Sequence, residues 1–90
     1  MSSDELEELR QKIDALDEEL LKTLVKRLEV VREVGRYKKA KGLDLRDDER
    51  LKALLEERLK TAGQLGLPEE LVKELYELIH DASLDAESDA

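Results

Sequence analysis

Between Ser3 and Val34 the chain contains neither glycine nor proline, and Leu6, Leu9, Ile13, Leu16, Leu20, Leu24, Leu28, Val31 and Val34 recur there at spacings of three and four. That pattern predicts one long amphipathic helix. The acids of "SDELEE" suit its first turn, with Ser3 or Asp4 as the cap. The basic run "RYKKAK" followed by Gly42 marks its end, so the helix is expected over about residues 4–41. A helix of about 38 residues is about 57 Å long. A compact globule of 90 residues has a radius of gyration of only about 12 Å. One chain therefore cannot cover its own first helix, and the simplest closed solution is a two-fold dimer with the long helices antiparallel.

The rest of the composition points the same way. A chain of 90 residues makes one small domain with a marginal core. It has no cysteine for disulfides and a single histidine, His80, which leaves no ordinary zinc site. Oligomerisation is the remaining route to more burial. The 24 acidic residues against 16 basic ones, net −8, oppose nucleic acid or an anionic membrane as partner. No leader pattern and no apolar stretch near 18 residues is visible, so a soluble, cytoplasmic protein is expected. His80, Asp81 and the Lys and Glu runs read as solvated surface.

Glycine and proline punctuate the remainder. "GLDLRDDER" reads as a loop in which Asp47 or Asp44 caps a second helix, over about 47–62, carrying Leu51, Leu54, Leu55, Leu59 and Ala62 and closed by Gly63. Pro68 is expected at the first position of a third helix, over about 68–85, with Glu69 and Glu70 at its positive end. Its apolar face is Leu71, Val72, Leu75, Tyr76, Leu78, Ile79 and Ala82. The tail, residues 86–90, offers no large apolar side chain and is expected to fray. The fold class is all-α: three helices per chain, one very long, in a single domain over residues 1–90. Gly35 lies inside the first helix at a cost of about 1 kcal/mol relative to alanine. Close approach of a chain or ligand would explain it, and so would plain tolerance.

Arg27 and Lys38 lie on or beside the apolar stripe. They are 11 residues apart, within about 20° of each other around the helix and about 16 Å along it. Side chains leaning inward could hold a small dianion. Arg10, 17 residues before Arg27, is about 25 Å away along the axis and rotated by about 100°, so it would reach that ligand only from an antiparallel partner helix. The other reading of the same spacing is three side chains snorkelling along a partly solvated face.

The segments "LRQKIDALDEELLKTLVKRLEVVREVGRYK", "RDDER" and "ELIHDASLDAE" resemble the all-α family of chorismate mutases, from Leu6 to Glu87. The resemblance implies an intertwined homodimer with two identical active sites, each built from both subunits. The reaction it implies is the Claisen-type rearrangement of chorismate to prephenate, on the route to phenylalanine and tyrosine, with no cofactor or metal. By position, Arg10 of the partner chain and Arg27 would clamp the two carboxylates of chorismate. Lys38 would approach the enol ether oxygen and a carboxylate. Asp47 would sit near the ring hydroxyl with Arg50 beside it, Ser83 would contact a carboxylate, and Glu87 would face the ether oxygen. Some short relatives work with a larger shikimate-pathway enzyme, so the resemblance leaves such an enzyme open as a further partner. A pericyclic reaction needs the flexible enolpyruvyl arm held folded and charge placed where the ether bond breaks, not a nucleophile.

Two positions depart from the family's pattern. Leu51 follows Arg50 where a glutamate that accepts the ring hydroxyl is common, and Glu87 stands where glutamine is frequent. Relatives that split isochorismate into salicylate and pyruvate share the scaffold, so isochorismate-pyruvate lyase is the enzymatic alternative. The non-enzymatic alternative is a helical dimerisation or regulatory module, in which Arg10, Arg27 and Lys38 would be replaceable by glutamine without functional loss.

Overall fold

The computed structural model describes residues 2–90, with side chains from residue 4 onward; α1 already begins at Ser2, so the cap expected at Ser3 or Asp4 falls inside the helix. Three α-helices follow one another: α1 (Ser2–Lys41), α2 (Asp48–Leu65) and α3 (Glu69–Asp89). Among the described residues there is no strand, and no helix is long and apolar enough to cross a membrane. The chain divides within α1 into two compact units, Met1–Val30 and Val31–Ala90.

The first unit is a stretch of helix and nothing else. Asp4 and Glu5 lie in its first turn, where carboxylates oppose the positive end of the helix dipole. Its large apolar side chains, Leu6, Leu9, Ile13, Leu16, Leu20, Leu21 and Val25 among them, are exposed, Ile13 to 56% and Leu16 to 63%. Leu24, Arg27 and Leu28 are half-buried.

In the second unit α1 closes with Lys38, Lys39 and Lys41 at its negative end. Gly42 follows at φ +68, a left-handed conformation that spares the chain a Cβ clash, and the Leu43 N–H returns to the Lys38 carbonyl at 2.8 Å. Asp47 caps α2: its Oδ1 accepts the Arg50 N–H at 2.9 Å. Gly63 does not end this helix, which runs on to Leu65. The left-handed residue is Gly66, φ 74, and the Leu67 N–H reaches the Ala62 carbonyl at 2.9 Å. Pro68 is the N-cap of α3 rather than its first helical residue.

The core of this unit is small in both senses. Its buried residues are Gly35, Ala62, Val72, Ser83, Ala86 and Glu87, ringed by half-buried Leu51, Leu54, Leu55, Leu59, Tyr76 and Ile79. His80 is half-buried, not fully solvated as the sequence alone predicts. Leu71 and Leu78 remain exposed. The largest departure is the tail. α3 does not fray at residue 86 but continues to Asp89, with Ala86 and Glu87 buried. Its last turn holds no basic residue of its own. Lys39 supplies one from α1, donating to the Ser88 and Ala90 carbonyls at 2.6 Å each, so the last carbonyls and the negative dipole end are both satisfied.

Candidate active site

In the second unit a shielded ion pair joins the ends of α1 and α3. Lys38 Nζ is 2.8 Å from Glu87 Oε1 and also donates to the Leu45 carbonyl at 2.8 Å. The two side chains keep only 19% and 9% of their surface. Local structure explains each leg of this arrangement. Lys38 lies in the last turn of α1, and the reversal at Gly42 folds the loop back so that the Leu45 carbonyl comes within reach of its ammonium. Glu87 arrives from the other side because α3 runs past residue 86 and because Gly35, one turn before Lys38, offers no side chain to hold α3 off. A charge pair this shielded retains more of its Coulomb attraction than an exposed one, while each partner left alone would be costly.

Ser83 stands one turn before Glu87 on α3, also buried, its hydroxyl donating to the Ile79 carbonyl at 2.6 Å within the helix. Asp47 and Arg50 mark the start of α2 and are exposed. The Asp47 carboxylate is already engaged by the Arg50 backbone, so one of its oxygens serves the helix cap. Beside it Arg46 Nε binds Asp48 Oδ1 at 3.0 Å, and its backbone N–H binds Asp44 Oδ1 at 3.1 Å. The hydrogen bond to Asp48, and then that residue's charge, hold the Arg46 guanidinium above its ordinary value. Both Arg46 and Asp48 are exposed, so the pair adds little stability. In the first unit, Arg10 is exposed and Arg27 half-buried.

The structure thus brings Lys38, Glu87 and Ser83 to one place in the second unit, with Asp47 and Arg50 on the helix that follows the same loop. Two participants escape a reading by residue type. The Leu45 carbonyl is a backbone group, and Lys39 signals its role only through the basic run that ends α1.

The sequence model of the family described as chorismate mutase type II matches residues 9–88, a span that holds all seven of these positions. The chain belongs to the type II chorismate mutase family. Several relatives agree with that membership. A T-protein of Enterobacter agglomerans is 40% identical over 85 residues, 94% of this chain and 23% of the relative. A 4-amino-4-deoxychorismate mutase of Streptomyces venezuelae is 32% identical over 75 residues, 83% of this chain and 73% of the relative. A bifunctional chorismate mutase/prephenate dehydratase of Aquifex aeolicus is 31% identical over 87 residues, 93% of this chain and 24% of the relative. The chain spans about a quarter or less of the T-proteins it matches. As a type II chorismate mutase domain it carries lysine and glutamate at the meeting point of α1 and α3, and leucine, half-buried, at position 51.

Proposed function

We propose that this chain rearranges chorismate to prephenate, an isomerase reaction of phenylalanine and tyrosine biosynthesis. The observation that carries the reading is the shielded Lys38–Glu87 pair, which holds a fixed ammonium in the interior of a chain that belongs to this family. In the reaction one ether C–O bond breaks while one C–C bond forms in a single cyclic shift of electrons. No proton is consumed or released, so no group need act as a permanent acid or base. Charge builds on the ether oxygen as the bond lengthens, and donors already aimed at that oxygen lower the barrier without reorganising.

Lys38 fits this role. An ammonium has three N–H donors. Two are engaged, by Leu45 and Glu87, which fix its direction and leave the third for substrate. Glu87 in its protonated form donates to the same ether oxygen, whereas as a carboxylate it would repel the charge developing there. Arg27, with Arg10 of a second copy, holds the two carboxylates of chorismate. This keeps the enolpyruvyl arm folded over the ring, a restriction worth several orders of magnitude in rate. Ser83 contacts a carboxylate, and Asp47, with Arg50 beside it, faces the ring hydroxyl.

The same proposal includes an intertwined homodimer with shared sites. The exposed leucine and isoleucine stripe of the first unit supports it, since a stripe of that length on a water-facing helix is a large unmet burial term at about 25 cal/mol per Å². A cytoplasmic setting suits a dicarboxylate biosynthetic intermediate. The length of the T-protein relatives supports a place beside, or within, a larger shikimate-pathway enzyme. The test replaces Arg10, Arg27 and Lys38 singly by glutamine. The proposal expects chorismate turnover to collapse in each while the helical circular dichroism persists. Full activity in all three would leave only a dimerisation or regulatory module.

A further inference from the structure

Gly35 is buried in the interior of α1, and a Cβ built on it would lie 2.6 Å from the Glu87 carbonyl oxygen, 2.7 Å from Glu87 Cα and 3.0 Å from its carbonyl carbon. All three are backbone atoms, which cannot swing away as a side-chain tip can. Gly63, also inside a helix, contrasts with it: a Cβ there meets nothing within 4 Å and its φ is ordinary. We propose that Gly35 is a positioning residue for the reaction: its missing side chain sets how closely α3 approaches α1, and so where the Glu87 carboxyl stands relative to Lys38 and the substrate's ether oxygen. This rests on the mutase reading above.

The geometry gives the size of the effect. Ordinary contact begins at 3.4 Å, so a methyl group at residue 35 forces the Glu87 backbone back by 3.4 − 2.6 = 0.8 Å. Lys38 is one turn further along α1, so the displacement falls on its own hydrogen bond. A 2.8 Å bond lengthened by that amount reaches about 3.6 Å, beyond useful range. Lys38 cannot simply follow, because its ammonium is also anchored to the Leu45 carbonyl across the loop. Misplacement of a catalytic group by about 1 Å costs about a hundredfold in rate. Alanine is also the better helix former, so Gly35→Ala leaves the intrinsic helicity of α1 intact or raised.

The experiment is a double-mutant cycle in kcat and KM on the full chain, comparing Gly35→Ala, Glu87→Ala, the double variant and Gly63→Ala. The expected result is a fall of about a hundredfold in kcat for Gly35→Ala with KM changed less than about threefold. The double variant should fall no further than Glu87→Ala alone, and Gly63→Ala should match the parent. Multiplying losses in the double variant, or an equal loss in Gly63→Ala, overturns the proposal. A readout independent of turnover separates it from the mutase reading: urea midpoints of Lys38→Ala, Glu87→Ala and their combination, at one protein concentration. With Gly35 present the two losses should be non-additive, and in the Gly35→Ala background they should become additive. Persisting non-additivity overturns the positioning role even if chorismate proves not to be the substrate. Absence of any cooperative unfolding in Gly35→Ala overturns it too, by making Gly35 a requirement of the fold itself.

Discussion

Lys38→Met is the perturbation whose consequence follows most directly from the geometry. Methionine keeps the length and apolar stem of lysine, so packing along α1 is largely retained. What disappears is the ammonium, with its 2.8 Å bonds to Glu87 Oε1 and to the Leu45 carbonyl. The Glu87 side chain then stays 9% exposed with no cation beside it. Breaking a buried pair by removing one partner costs about 3–5 kcal/mol. Lys38 retains 19% of its side-chain surface, so water reaches the site in part, and we expect the low end, about 3 kcal/mol. The half-buried Leu45 carbonyl adds little because solvent can replace its donor. Against a total stability of about 5–15 kcal/mol this is a large fraction. Urea unfolding followed by circular dichroism at fixed protein concentration and neutral pH should show the midpoint falling by about 3 M, for a slope of about 1 kcal/mol/M. The companion variant Lys38→Met/Glu87→Met removes the stranded charge and should recover most of the loss. A single variant within about 1 kcal/mol of wild type, or a double variant as unstable as the single, would refute the reasoning.

Mixing inactive Arg10→Ala with inactive Lys38→Ala protein, after dissociation and reassociation, should restore part of the activity, because one of the two shared sites of the proposed dimer then carries neither lesion; no recovery in demonstrated mixed dimers would contradict a trans role for Arg10. Dilution below the dissociation constant of the proposed dimer should lose helicity and activity together in sedimentation and circular dichroism. Glu87→Gln should keep or increase turnover of chorismate at neutral pH, since an amide always offers a donor. Asp47→Ala removes the α2 cap, worth about 1 kcal/mol in thermal or urea unfolding, and should also weaken substrate binding.

What was legible in the sequence was what local periodicity and punctuation encode. The three-and-four spacing from Leu6 to Val34 specifies α1, and a basic run before Gly42 specifies its end. The end of α2 was misplaced because Gly63 and Gly66 are equivalent in composition; only the left-handed φ at Gly66 and its hydrogen bonds to the preceding turn distinguish them. The helical tail is illegible in the sequence for a different reason. Nothing within residues 86–90 explains their order; the Gly35 gap and the Lys39 bonds, about 50 residues away in sequence, hold them. The Lys38–Glu87 contact spans 49 positions and no local pattern announces it. Residue types made Lys38 a candidate, and only the family resemblance picked out Glu87.

The central claim is that this chain acts on chorismate itself, and the direct measurement is to incubate the purified protein separately with chorismate and with isochorismate and identify the products by mass and ultraviolet spectrum. The account predicts prephenate from chorismate at a rate far above the uncatalysed rearrangement, lost in Lys38→Gln. Salicylate and pyruvate from isochorismate, with chorismate left unchanged, would contradict it.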